Sequence, residues 1–166
     1  NFNNIAFGKN YYQPRMRLPG TGGIPDVTTF LDDIYLYVPR HSRMTFVPEL
    51  DFLSGLGHNE KRTHGSGPQY LITDLGQFDF QGERADCKMR LISYHRGNSI
   101  NRIQAKTGFQ FEIADDIHET EPPSEEELSL LREEIDPLSI RRLELLSGSK
   151  RRDLLREIII QETREN

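Results

Sequence analysis

Ile34-Tyr35-Leu36-Tyr37-Val38 is an unbroken run of aromatic and β-branched residues, closed by Pro39. It constrains the fold more than any other segment. Such side chains fit a pleated surface, and a proline ends the ladder because it has no N–H to donate. The run is therefore expected to be a strand with at least one buried face. Tyr70-Leu71-Ile72-Thr73-Asp74-Leu75 repeats the signal. Phe78 and Phe80 then alternate toward a turn at Gln81-Gly82, and Met89, Leu91, Ile92 and Tyr94 supply a return strand. The pair reads as a hairpin with a long connection. Phe109, Phe111 and Ile113 alternate as a last strand, and Met44 to Leu50 reads as another extended piece.

Shorter signals fill the gaps. Ile5-Ala6-Phe7 is apolar, and Met16 and Leu18 alternate with Arg15 and Arg17. Val27, Phe30 and Leu31 lie at helical spacing, with Pro25 suited to a first helical turn. Ile100 and Ile103 suggest a second short helix, with Thr107-Gly108 as its glycine cap. Strands alternating with helices predict an α/β fold: an open, mostly parallel sheet flanked by helices, with a C-terminal helical arm.

The arm announces itself by composition. Residues 1–118 hold 13 acidic and 13 basic side chains, whereas residues 119–166 hold 13 acidic and 8 basic. Pro122-Pro123 break the chain, and Ser124-x-x-Glu127 is a capping-box signature ahead of Leu128, Leu131 and Ile135. Asp136-Pro137 stops that helix, and a final one carries Leu154, Leu155, Ile158 and Ile159. The expected division is a body, residues 1–118, and an acidic helical arm, residues 119–166. The final helix opens with Lys150-Arg151-Arg152, the wrong sign for a helix start, so these bases are expected to find acidic partners or an outside surface.

A neutral body with an acidic arm leaves no electrostatic footprint for nucleic acid. No run of apolar residues is long enough to span a bilayer, so no membrane role is expected. The start, Asn1-Phe2-Asn3-Asn4, has no Met, basic region or apolar core, so no signal peptide is expected, nor that the chain begins where its gene does. A single cysteine, Cys87, fits a reducing compartment and predicts a cytoplasmic protein.

The sharpest candidate site is Gly20-Thr21-Gly22-Gly23, between a strand and a helix. Residues without Cβ let backbone N–H groups approach a ligand closely, so such a bend can hold a phosphate, a carboxylate or a thioester oxyanion. A tight strand-to-helix turn explains the same residues equally well. The loop is neither a P-loop nor a dinucleotide fingerprint, lacking Gly-Lys-Ser/Thr and a third spaced glycine.

Other groups carry less. The five histidines show no zinc-ligand spacing, so no metal is expected. Asp32-Asp33 and Asp115-Asp116 are adjacent, and adjacent side chains point apart. Cys87 beside Lys88 reads as a non-catalytic thiol at a strand start. Arg40, His41 and Arg43 form a small basic group after the first long strand, read as a solvated turn ahead of a CoA-phosphate contact. The glycine-rich stretch from Leu53 to Pro68 reads as a long loop, functional or mobile.

The run Arg15-Met16-Arg17-Leu18-Pro19-Gly20-Thr21-Gly22-Gly23 resembles the glycine loop of the β subunits of family I CoA-transferases, of the glutaconate CoA-transferase type. The likeness continues in order through His41-Ser42-Arg43, Phe46-Val47, Asp51-Phe52, Leu71 to Phe78, Thr107-Gly108-Phe109 and the Pro122-Pro123-Ser124 arm. It implies an α/β CoA-transferase fold, an α subunit as partner, and acyl-CoA thioesters as substrate with no covalently bound cofactor. In that family a β-subunit glutamate attacks the thioester, giving an acyl–glutamyl anhydride and then a glutamyl–CoA thioester. By the resemblance, Gly20, Thr21, Gly22 and Gly23 surround the oxyanion.

Two departures follow. The family's glutamate precedes the glycine loop, yet no acidic residue occurs here before Asp26. The catalytic nucleophile is therefore expected outside this chain, in an N-terminal segment of the β subunit. Arg96 also stands where relatives often carry Pro. Family members that open a steroid-derived ring or decarboxylate a glutaconyl-type CoA remain alternatives, as does a non-catalytic piece of the scaffold.

Overall fold

The computed structural model describes residues 1–82 and 86–165. The described chain divides into two compact units, residues 1–120 and 121–166.

The first unit is built on a five-stranded sheet: β3 (Ile34–Val38), β4 (Pro68–Thr73), β5 (Gly76–Gln81), β6 (Lys88–Tyr94) and β7 (Glu112–Glu119), adjacent in that order. A two-stranded ladder precedes it, β1 (Ala6–Phe7) against β2 (Met16–Arg17). The five-stranded sheet is mixed: β3–β4 and β6–β7 run parallel, whereas β4–β5 and β5–β6 run antiparallel. The α/β class is as expected, but the mostly parallel sheet is only half realised. The cause is local, since two residues join β4 to β5 and six join β5 to β6, too few for the crossover that a parallel neighbour needs.

Alternation along the strands sorts side chains to two faces. Leu71, Phe78, Met89 and Leu91 point inward and meet Ile103 of helix α2 (Ile100–Lys106), with Leu75 and Phe111, in one core. Phe78 and Phe111 pack edge to face with ring centroids 5.6 Å apart. On the opposite face Tyr35 stacks on Tyr70, 5.8 Å apart and nearly parallel, and Tyr37 and Ile72 are also exposed. Asp79 and Arg90 lie directly opposite on β5 and β6 and form a bidentate pair at 3.0 and 2.6 Å.

Three local expectations are revised. The last strand begins at Glu112 and runs to Glu119, later than the Phe109–Ile113 alternation suggests, because Phe111 serves the core ahead of the ladder. Residues 41–50 form turns, not an extended piece; Phe46 N–H and Thr45 N–H both donate to Ser42 O. Gly108 is no left-handed helix cap. Its N–H donates to Phe46 O at 2.7 Å, and a Cβ there would fall within 2.4 Å of that oxygen, so its role is close approach.

The second unit holds α3 (Glu125–Ser129), a π-type segment (Leu130–Ile135), a 3-10 turn (Ile140–Glu144) and α4 (Gly148–Glu165). The capping box is complete: Glu127 N–H donates to Ser124 Oγ, and Ser124 N–H donates to Glu127 Oε2 at 2.8 Å. Those bonds hold the Glu127 carboxyl below its ordinary range. Asp136 ends the first helical stretch and accepts from the N–H groups of Ile140 and Arg141. Arg151, one of the bases opening α4, donates to Leu143 O at 3.2 Å.

Candidate functional site

The glycine bend follows β2 directly and leads into α1 (Ile24–Phe30). Its position is set by the chain start. Leu18 N–H donates to Ile5 O, and Gly20 N–H donates to Asn4 O at 2.8 Å, extending the β1–β2 ladder to the edge of the bend. Residues 1–4 are themselves tied to residues 54–57: Phe2 N–H donates to Gly55 O, Ser54 N–H to Phe2 O, and Asn4 N–H to Ser54 Oγ. Gly20 has φ 103° and Gly22 φ 50°, conformations that side chains resist. Gly23 caps α1 at an ordinary φ of −83°.

The bend is open. A Cβ built on Gly20, Gly22 or Gly23 would meet nothing within 4 Å. Ile24 N–H closes back on Thr21 O at 3.0 Å. Among the described residues, the N–H groups of Thr21, Gly22 and Gly23 donate to no acceptor. Gly20 thus differs from the other three, since its amide is already committed to Asn4.

The apolar stripe of α1 is turned outward. Val27, Phe30 and Leu31 are exposed, while Thr28 is the buried residue. The reason is Gly55, which lets the helix come so close that a Cβ there would strike Ile24 Cγ2 and Thr28 Oγ1. Thr28 satisfies its hydroxyl by donating to Ile24 O at 2.7 Å.

His41 is not part of a basic group. It is 2% exposed, stacked on Phe46 at 4.1 Å, and its N–H donates to Asp74 Oδ1. Its ring bridges Thr73 Oγ1 at 3.2 Å and Thr107 Oγ1 at 2.9 Å. Burial lowers its pKa to about 4, against a smaller raising effect of Asp74. Arg43 is exposed and lines a shallow surface with Asn101, Gln104 and Gln110.

The long loop from Leu53 to Pro68 is held by one residue that sequence reasoning missed. Arg62 is 7% exposed and donates to four backbone carbonyls: Gly57 and His64 at 3.0 and 2.9 Å, with Leu56 and Thr28. A buried arginine amid glycines leaves no periodicity to detect; its only trace is a charge inside a turn-rich stretch. His58 donates to Pro68 O at 2.6 Å, and His95 spans Thr73 O and Thr120 Oγ1, so both serve loop and sheet contacts. Cys87 lies just before β6, and burial followed by the Asp79 charge pushes its thiol pKa up, the opposite of activation. Among the described residues no group of three His, Cys, Asp or Glu is placed to hold a metal ion. No helix among them is long and apolar enough to cross a membrane.

No family model matches the chain. Individual proteins do. The β subunit of the 3-oxoadipate CoA-transferase of Pseudomonas knackmussii is 32% identical over 139 residues, covering 80% of this chain and 52% of that protein. The IpdB subunit of the cholesterol ring-cleaving hydrolase of Rhodococcus jostii is 31% identical over 146 residues, covering 85% and 56%. The crystal structure of glutaconate coenzyme A-transferase from Acidaminococcus fermentans superimposes with a TM-score of 0.71 at 26% identity, over 82% of this chain and 54% of that one. The chain thus spans about half the length of the curated relatives it matches. Sequence and fold agree: over the span they share, this chain is similar to the B subunits of family I CoA-transferases and to the IpdB subunit.

Proposed function

We propose that this chain is the β-subunit portion of a glutaconate-type CoA-transferase, which moves CoA between an acyl-CoA thioester and a carboxylate. The observation that carries this reading is the open bend with three uncommitted amides, Thr21, Gly22 and Gly23. A thioester carbonyl that becomes tetrahedral gathers negative charge on oxygen. Fixed N–H groups aimed at that oxygen stabilise it without reorganising. Gly20 shapes the bend instead, through its bond to Asn4.

The nucleophile is a glutamate carried outside these residues, in an N-terminal segment of the same subunit, and an α subunit completes the assembly. The glutamate displaces CoA thiolate to give the acyl–glutamyl anhydride. Returning thiolate attacks the glutamyl carbonyl, frees the acyl carboxylate and leaves glutamyl–CoA, from which the acceptor carboxylate takes CoA. The likeness to the IpdB subunit favours one second reading, hydrolysis of a ring C–C bond in a CoA ester on the same scaffold.

Isothermal titration of the assembled complex with CoA thioesters tests the proposal. Saturable binding that Gly22→Val abolishes supports it. No binding above background in a folded complex sinks it.

A further inference from the structure

We propose a second, separate ligand site in this chain: a pocket for a small oxyanion, phosphate or carboxylate, around Arg62. The pocket has a volume of about 210 Å³ and is lined by His58, Asn59, Arg62, Thr63, Gly65 and Ser66. Three observations carry this assignment.

The first is charge. Arg62 is 7% exposed, yet among the described residues no carboxylate lies within ion-pair distance of it. Buried charges are ordinarily paired, and here the hydrogen-bond partners of the guanidinium among the described residues are backbone carbonyls. The second is donor supply. The guanidinium has five N–H groups. Nε, one N–H of Nη1 and both of Nη2 are committed to Gly57, His64, Thr28 and Leu56. One Nη1 N–H remains, next to Gly65, where a Cβ would stand 3.4 Å from Nη1.

The third is the rim. Among the described residues, the N–H groups of Gly65 and Ser66 donate to no acceptor, and neither does the Asn59 side-chain amide. Gly65 takes φ 64°, the left-handed conformation that recurs in anion-binding backbone concavities. The Ser66 hydroxyl is already engaged with Asp32 O and Gln69. Residues that carry donors without acceptors thus line one pocket with a fixed positive centre. A planar or tetrahedral oxyanion accepts from them and also offsets the guanidinium charge, which a neutral acceptor cannot do. This site stands apart from the glycine bend, because it uses neither that bend's amides nor a thioester.

The test follows backbone amide NMR shifts of the full chain while inorganic phosphate, and in a separate arm glutarate, is added at constant ionic strength. The expected result is saturable movement confined to the amides of residues 59–66, with the amides of residues 21–23 unmoved. A response to phosphate assigns the site to a phosphoryl group, and a response to glutarate alone assigns it to a carboxylate. Asn59→Ala leaves every Arg62 bond in place and weakens the binding about tenfold. The proposal is overturned by no saturable shift with either anion up to about 20 mM, by shifts that spread over the whole surface, or by unchanged binding in Asn59→Ala.

Discussion

His41 Nε2 and Thr107 Oγ1 are 2.9 Å apart, and the direction of that bond places a ring proton on Nε2. Thr107 gives its own hydroxyl proton to Ile103 O at 2.9 Å, so it must accept from His41 Nε2–H. On the other side Thr73 Oγ1 accepts from the N–H groups of Leu75 and Gly76, and its one hydroxyl proton faces two acceptors, Gly76 O and His41 Nδ1, each at 3.2 Å. Every group is satisfied with a neutral ring. A second ring proton would have to share Thr73 Oγ1 with the two N–H groups already on it, and burial opposes the charge it brings.

Stability should therefore fall in mildly acid solution. The unfolded His41 titrates near 6.5, whereas the folded one resists protonation down to about 4. Above pH 6.5 both forms are neutral and the group contributes no slope. Between pH 6.5 and 4 the unfolded chain takes the proton first, so the unfolding free energy declines by about 1.4 kcal/mol per pH unit, about 3 kcal/mol in all. Denaturant titrations from pH 8 to 4 check this. His41→Gln should remove that share of the slope, and an unchanged slope in the variant would refute the assignment.

Arg62→Ala strips four carbonyls of their donor at once. The expected cost is about 3 kcal/mol, since buried acceptors are left unsatisfied. Because Thr28 O belongs to α1, the damage should reach beyond the loop. Hydrogen exchange should accelerate in residues 56–67 and in α1, while β5 and β6 keep their protection. Arg62→Lys should recover only part of the loss, because an ammonium cannot reach four carbonyls in a plane.

Ser124→Ala removes the acceptor for Glu127 N–H and should cost about 1 kcal/mol of helix stability. The readout is amide exchange at Glu127 and Leu128. Faster exchange there with no change in β3–β7 is the expected pattern, since the box lies in the second compact unit.

Much of this architecture is written locally. The β3 and β4 runs, the β5–β6 hairpin, the short α1 and α2 helices and the Ser124–Glu127 box all follow from periodicity or capping chemistry within a few residues. What escaped was decided by distant partners. Gly108 is shaped by Phe46, far earlier in the chain, and no local rule separates close approach from a helix cap. The outward turn of Val27 and Phe30 depends on Gly55 drawing Thr28 inward. His41 sits among arginines in sequence but among Phe46, Phe78 and two threonines in space. Of the glycine bend, the residue types and the strand-to-helix setting were legible; which amides are free was not, because Asn4 claims only that of Gly20.

Gly23→Ala tests the central claim most directly. Gly23 has an ordinary φ of −83° and open space where a Cβ would stand, so the substitution should leave folding stability within about 0.5 kcal/mol. If a thioester carbonyl is received there, the added methyl group crowds it. CoA-thioester turnover by the assembled enzyme should then drop by about 10²-fold, the scale of losing one oxyanion donor. Wild-type turnover in a stably folded Gly23→Ala enzyme would contradict the account.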